Sequence, residues 1–343
     1  MTWYQRSGPG EDVFLSTRIR LARNLEDYPL GERLTSDMAR ELISKIQPLF
    51  AQDEGYQFTD MATLSLTEAE ALAEKHYISP DFVQTKTPHA LICEESKGLS
   101  IMICEEDHVR VQCLSKGFSP EECRMGAFEA EEKIDAALPI AYDETFGYLT
   151  HCPTNLGTGM RVSVMMFLPA LTATGQMNSL SAQIQKMGLV IRGIQGEGSK
   201  ARGFLYQISN QVTLGISEAE TIRKVSEVVR KIAENERNVR AHFDETTKWQ
   251  LQDKAERALG IFSHAKLMST NEFFSLWADL RLGLALGGIQ GITYETLDRM
   301  IFELLPASMT LSITSECDSF PPEMKRDFMR AKALRALCQG TEL

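Results

Sequence analysis

Residues 146–168 read F-G-Y-L-T-H-C-P-T-N-L-G-T-G-M-R-V-S-V-M-M-F-L. Apolar segments stand at both ends, 146–149 and 162–168, and between them H-C-P-T-N-L-G-T-G-M-R at 151–161 is too polar and glycine-rich for a core. The pattern predicts a strand, a tight loop and a second strand, with the loop pinned between buried elements. A loop held by a rigid scaffold is where chemistry concentrates. In the second strand the alternation turns Arg161 and Ser163 away from Val162 and Val164.

Upstream, residues 12–23 (D-V-F-L-S-T-R-I-R-L-A-R) alternate as a half-buried strand does, with Val13, Leu15, Ile19 and Leu21 on one face and Phe14, Ser16, Arg18 and Arg20 on the other. Arg18 and Arg20 then stand side by side, either as a solvated pair or as a fork for an anion. Residues 99–114 predict two strands with Glu105, Glu106, Asp107 and His108 at their junction, and Arg110 returns in the second strand. Three adjacent carboxylates repel one another unless a cation lies among them; a solvated turn is the alternative. Further strands are expected at 188–194 and 204–209, joined by a glycine-rich loop that carries Glu197.

Helical spacing marks 35–46, 119–138 and 178–187, a capping box at Thr67 and Glu70 opens a helix toward His76, and another at Ser217 and Glu220 opens one reaching about His242. Beyond it only helical patterns recur, at 245–259, 271–286, 294–305 and 322–337. The elements predict an α+β fold: an antiparallel or mixed sheet with helices packed on one face over residues 1–254, then an all-helical C-terminal domain over 255–343.

A net charge of −11 argues against general nucleic-acid binding through a basic surface. No apolar run reaches the roughly 18 residues of a membrane span, and the first dozen residues lack the apolar core of a secretory signal. Seven cysteines, an odd number without a C-x-x-C pair, fit reduced thiols in a cytoplasmic protein. Six scattered histidines without H-x-x-x-H spacing predict no protein-held metal.

There is no G-x-x-x-x-G-K-[ST] loop, and the glycines at 193–198 do not form a strand-to-helix G-x-G-x-x-G turn. Arginines at strand positions 18, 20, 110, 161 and 192 take their place, each beside a loop. Five of them in an acidic protein suit a polyanion, and ATP with Mg2+ is the economical candidate. Glu106 and Glu197 suit a cationic, planar acceptor, because carboxylates accept paired N–H bonds from a guanidinium. With a pKa above about 12, a guanidinium attacks poorly until a base draws off its proton. Cys152 as thiolate would add a third negative partner; an inert buried thiol is the alternative.

C-P-T-N-L-G-T-G-M-R at 152–161, S-T-R-I-R at 16–20, E-E-D-H-V-R at 105–110 and R-G-I-Q-G-E-G at 192–198 resemble, in the same order, the signatures of the phosphagen (guanidino) kinase superfamily. The likeness is nearer still to its bacterial protein-arginine kinase branch, the McsB type. The helical domain that precedes S-T-R-I-R in small-molecule members is missing, which implies a site open to an arginine on a protein. R-D-F-M-R-A at 326–331 is similar to the motif by which the branch binds phosphoarginine as an allosteric signal. On a helix Arg326 and Arg330 share a face; spacing alone leaves it a solvated face, and the resemblance implies a pocket of Arg326, Asp327, Arg330 and Ala331.

The resemblance further implies nucleotide contacts from Ser16, Thr17, Arg18, Ile19, Arg20, His76 and Arg110, from Arg161, Val162, Ser163, Val164 and Met165, and from Arg192, Gly193, Ile194, Gln195, Gly196 and Glu197. Glu106 and Glu197 become the catalytic carboxylates and Cys152 the residue that orients the guanidinium. Cys104 stands where the family usually has Asn. The expected activity is a protein-arginine kinase, transferring the γ-phosphoryl of ATP to arginine side chains of proteins. A kinase of free arginine or another small guanidino compound, or a non-catalytic phosphoarginine-binding regulator, are the alternatives. By resemblance the partners are proteins with exposed arginines, a Clp-type unfoldase, a stress-response repressor and a zinc-containing activator protein, in stress response and protein quality control. Apolar faces at 271–286 and 294–305 suggest a homodimer, and neither nucleic acid nor membrane is an expected partner.

Overall fold

The computed structural model describes residues 1–193 and 201–339. At its centre lies an eight-stranded sheet in the order β2 (Gln57–Asp60), β3 (Ala90–Glu94), β4 (Leu99–Ile103), β5 (Val109–Lys116), β1 (Phe14–Arg23), β8 (Met160–Phe167), β10 (Leu205–Asn210) and β9 (Leu189–Gly193). Every neighbouring pair is antiparallel. Two short strands, β6 (Tyr142–Asp143) and β7 (Gly147–Tyr148), make a separate ribbon ahead of the glycine-rich loop.

One face of the sheet is roofed by α1 (Ser36–Ile46), α4 (Pro120–Asp135), α6 (Met177–Lys186) and α7 (Glu218–Ala241). Their apolar stripes, such as Leu42, Ala127, Ile184 and Val229, share a core with Ile19, Leu21, Val111, Val162 and Val164. α2 (Leu66–Glu74), α3 (Pro80–Val83) and the C-terminal helices α8 (Glu245–His264), α9 (Thr270–Ala285), α10 (Tyr294–Glu303), α11 (Pro306–Leu311) and α12 (Pro322–Cys338) lie on the other side. A second core joins Phe262, Phe273, Trp277 and Phe302 to Leu15, Leu114, Met165 and Phe167 of the sheet. Helices therefore pack on both faces, not one. Burying a phenylalanine of this kind contributes about 1.5–3 kcal/mol, so the C-terminal helices are part of the same packed body as the sheet. Between these sets, α5 (Pro169–Ala173) is tied to α7 by Glu236, which accepts from the N–H groups of Ala170 at 3.0 Å and Leu171 at 2.9 Å.

Two local readings are corrected. In β1 the register shifts between Phe14 and Ser16, a bulge that inserts one residue and reverses the alternation beyond it. Phe14 accordingly shares the core of Ile19 and Leu21, while Leu15 packs into the second core. The capping box of α2 is formed by Ser65 and Glu68 rather than by Thr67 and Glu70: Ser65 N–H donates to Glu68 Oε2 at 2.7 Å and Glu68 N–H to Ser65 Oγ at 3.3 Å.

Candidate active site

β1 lies between β5 and β8, with Arg20 opposite both Gln112 and Arg161, and Arg18 opposite Leu114 and Ser163. Opposed residues share a face and alternate residues return to it, so Arg18, Arg20, Arg110, Gln112, Arg161 and Ser163 stand together. β10 carries the same face outward through Ser209, opposite Ser163, and Gln207, opposite Arg192. All five arginines singled out in the sequence thus lie on one side of four strands. Ser16 and Met165 share that side but are buried. Thr17, Ile19, Val162 and Val164 turn into the opposite core, and their side chains cannot reach a ligand among the arginines. Thr17 Oγ1 donates to Gly117 O at 2.8 Å and accepts from Ser119 N at 3.0 Å instead.

The charge on this face is unevenly answered. Arg110 pairs with Glu105 at 2.6 Å and with Glu106 at 3.0 Å. Arg161 donates to Ser209 Oγ at 2.9 Å and leaves its buried Nε without a partner. Among the described residues no carboxylate pairs with Arg18, Arg20 or Arg161. Burial first, then Arg161 and Arg110, pushes Arg18 down to about 10. Burial and the other arginines hold Arg20 well below its ordinary value, with Glu105 opposing. Burial, Arg192 and Arg110 lower Arg161. Since a guanidinium keeps its proton in proteins, these shifts mean an unneutralised positive field, the environment a polyanion relieves.

His76 borders this field. It follows the end of α2 in a left-handed turn, φ 65°, closed by Tyr77 N–H to Leu72 O at 3.0 Å. Burial and Arg18 press its imidazole down to about 3, which keeps it neutral at physiological pH.

At the other end of the face lies the 151–161 loop. Asp107, the third acid of the cluster, is buried and accepts from His151 N–H and from Asn24 Nδ2, both at 2.7 Å. It ties the loop to the β4–β5 junction. Thr213 Oγ1 holds the loop from below through the carbonyls of Thr154 at 3.0 Å and Leu156 at 2.7 Å. Gly157, at φ 109°, is required by this seat: a Cβ there would come within 2.2 Å of Thr213 O. The loop presents Cys152, half-buried, with Sγ 3.0 Å from Thr154 Oγ1. A cavity of about 230 Å³ opens at this end, lined by Arg20, Glu106, Arg110, Cys152, Asn155 and Arg161 among others. Carboxylate and thiol thus meet arginine in one small space.

Residues 37–239 match the family described as ATP:guanido phosphotransferase, C-terminal catalytic domain, and residues 248–342 match the protein-arginine kinase McsB C-terminal domain. The chain belongs to the ATP:guanido phosphotransferase family. Within it, the chain is 42% identical over 322 residues to the protein-arginine kinase of Caldanaerobacter subterraneus subsp. tengcongensis, covering 92% of this chain and 95% of that one. It is 38% identical over 309 residues to that of Bacillus pumilus, covering 89% and 85%. It is therefore a kinase of the protein-arginine kinase branch. Among solved structures, lombricine kinase shares the fold with a TM-score of 0.59 at 24% identity, over 70% of this chain and 71% of that one. A duplicated taurocyamine kinase from Schistosoma mansoni with bound transition-state analogue components does so with a TM-score of 0.57 at 23% identity, over 67% and 33%.

Against the guanidino kinase pattern, Cys104 sits at φ 64°, a left-handed position that asparagine adopts readily; the departure falls on a buried backbone corner. Ile194, Gln195, Gly196 and Glu197 lie outside the described residues, while Arg192 and Gly193 are exposed at the end of β9. In the R-D-F-M-R-A segment Arg330 and Ala331 are fully buried. Arg330 donates to Leu304 O at 2.8 Å, to Met268 O at 2.6 Å and to Asp327 Oδ1 at 2.9 Å. Its guanidinium pins α12 in place, so of the expected phosphate-facing pair only Arg326, half-buried beside Asp327, remains accessible. Sequence reasoning missed Gln112 and Ser209, which join the face only through strand register, and the tying role of Asp107.

Proposed function

We propose that this kinase transfers the γ-phosphoryl of ATP to arginine side chains of other proteins. The observation that carries this reading is the mixed lining of one cavity: Arg20 and Arg161, which pair with no carboxylate among the described residues, and with them Glu106 and Cys152. The first suits a polyphosphate, and the unpaired Nε of Arg161 points to a missing acceptor. The second suits a guanidinium. Mg2+, which prefers phosphate oxygens with one or two carboxylates, would accompany the nucleotide and neutralise its charge.

Arg18, Arg20, Arg110 and Arg161 would hold the γ-phosphoryl in line with the acceptor. Glu106 accepts an N–H of the substrate guanidinium and takes its proton as that nitrogen attacks phosphorus. An N–P bond forms, the bond from the γ-phosphorus to the β,γ-bridging oxygen breaks, and ADP leaves with the electron pair. Glu197 is the second carboxylate in this scheme. Cys152 orients the guanidinium without bonding to phosphorus. With 39% of its side chain exposed, Glu106 lies within reach of an arginine on a protein surface. The proposal extends to regulation by phosphoarginine at Arg326 and Asp327: Arg326→Ala should abolish stimulation by a phosphoarginine peptide, and unchanged stimulation would refute that part.

The test compares acceptors, using γ-labelled ATP with an arginine-rich protein or with free arginine. Acid-labile label on the protein, reduced on the order of 10²-fold or more in Glu106→Gln, is the expected result. Label confined to free arginine, or equal transfer by both enzymes, would refute the reading.

A further inference from the structure

One set of contacts between the sheet side and the C-terminal helices has no part in the mechanism above. The carboxylate of Glu74, the last residue of α2, accepts from the N–H groups of Ala307 at 2.8 Å and Ser308 at 2.9 Å, and from the Ser308 hydroxyl at 2.9 Å. These groups open α11, whose own N-cap residue, Leu305, has no polar side chain to offer. Glu74 therefore satisfies, from a distant element, donors that a helix start leaves bare.

Two residues later comes His76, in a left-handed turn at the position glycine usually takes after a helix. Such a conformation persists in a non-glycine residue only when its surroundings over-determine it. Here they come from both halves of the chain. The His76 carbonyl accepts from Gln112 Nε2 at 2.8 Å on the arginine face. Its ring stands edge-on to Phe302 of α10, 5.5 Å between centroids, and within the field of Arg18. Leu304, between Phe302 and α11, has its carbonyl held by Arg330 of α12.

We infer that Glu74 is a positioning residue for the nucleotide end of the site: by fastening α11 to the end of α2 it keeps His76 seated between Phe302 and Gln112 of the arginine face. The inference rests on the proposed use of the arginine face for ATP. Without the Glu74 clamp, the start of α11 loses its polar tie to the end of α2, and the wall of the His76 turn on that side loosens. Binding of ATP weakens, whereas Glu106 and Cys152, which line the cavity with Arg20, keep their geometry.

The experiment measures KM for ATP and kcat at saturating protein acceptor, with ATP affinity by calorimetry, for wild type, Glu74→Ala, Glu74→Gln, His76→Asn and the double variant Glu74→Ala with His76→Asn. Expected is a rise in KM and Kd of about five- to tenfold in Glu74→Ala with kcat within about twofold. Glu74→Gln, which keeps a carbonyl acceptor for α11, should recover most of the loss. The double variant should bind ATP no more weakly than His76→Asn alone, because Glu74 acts through His76. Unchanged KM and Kd in Glu74→Ala, a loss confined to kcat, or effects that multiply in the double variant would overturn the inference. A wild type that binds ATP but transfers nothing would instead refute the proposed function, and the Kd series would still decide the role of Glu74.

Discussion

Among the described residues Arg18, Arg20 and Arg161 pair with no carboxylate, and burial together with the neighbouring arginines holds all three below their ordinary values. Such a group works against the empty fold and in favour of a bound polyanion, the stability–activity conflict common at binding sites. Arg20→Met should therefore raise stability without nucleotide by about 0.5–2 kcal/mol in urea titration, while phosphoryl transfer falls on the order of 10²- to 10³-fold. Lower stability together with retained transfer would show that Arg20 is structural. The positions of these arginines were legible because alternation around them is unbroken from Ser16 to Leu21. That the side chains of the neighbouring Thr17, Ile19, Val162 and Val164 turn to the opposite face was not legible from the motif, since a contiguous motif does not distinguish the two faces of a strand. The burial of Arg330 was not legible for a related reason: i,i+4 spacing gives a shared face but not whether that face is buried.

Among the elements, strands and helices were legible through their apolar period, and the errors sit where two patterns overlap. The run S-L-T-E-A-E at 65–70 contains S-x-x-E and T-x-x-E in adjacent frames. Only the first matches the apolar stripe of α2, and the structure closes the box at Ser65. Ser65→Ala should lower stability by about 1 kcal/mol, as loss of an N-cap does, and Thr67→Ala by much less; denaturant midpoints of the two variants check this, and equal losses would contradict the assignment. The bulge in β1 escaped notice because both Phe14 and Leu15 are apolar and each has a core to enter. Sheet order was not legible at all. It depends on which strands pair, and that pairing, not the motif order, sets Arg20 opposite Arg161 and Ser209 opposite Ser163.

For the whole molecule, the joint between sheet and C-terminal helices centres on a buried ionic group. Asp298 of α10 pairs with Lys116 of β5 and with Arg281 of α9 at 2.8 Å. Arg281 also donates to the carbonyls of Glu11 at 2.5 Å and Asp12 at 3.3 Å. Burial alone would raise the Asp298 carboxyl, but Arg281 and Lys116 outweigh it and hold it below the usual range. Burial and Arg281 push the Lys116 ammonium down against the pull of Asp298; the carboxylate, shared by two cations, is the member whose charge is best supported. Its contribution is present above the ordinary carboxylate range and is lost as pH falls through the depressed folded value. Asp298→Asn leaves two buried cations uncompensated and should destabilise by about 3–5 kcal/mol, with part of the loss recovered when Lys116→Met is added; urea unfolding at neutral pH decides, and a neutral Asp298→Asn would show the joint to rest on packing alone. The cavity itself is lined by the central strands, the β4–β5 junction and the 151–161 loop, and the central claim is that arginine nitrogen attacks phosphorus there. Phosphorus NMR of an acceptor protein after turnover with ATP measures this directly: a phosphoramidate resonance mapped to arginine, present with wild type and absent with Glu106→Gln, is predicted. Only inorganic phosphate, or phosphate in ester linkage to oxygen, would contradict it.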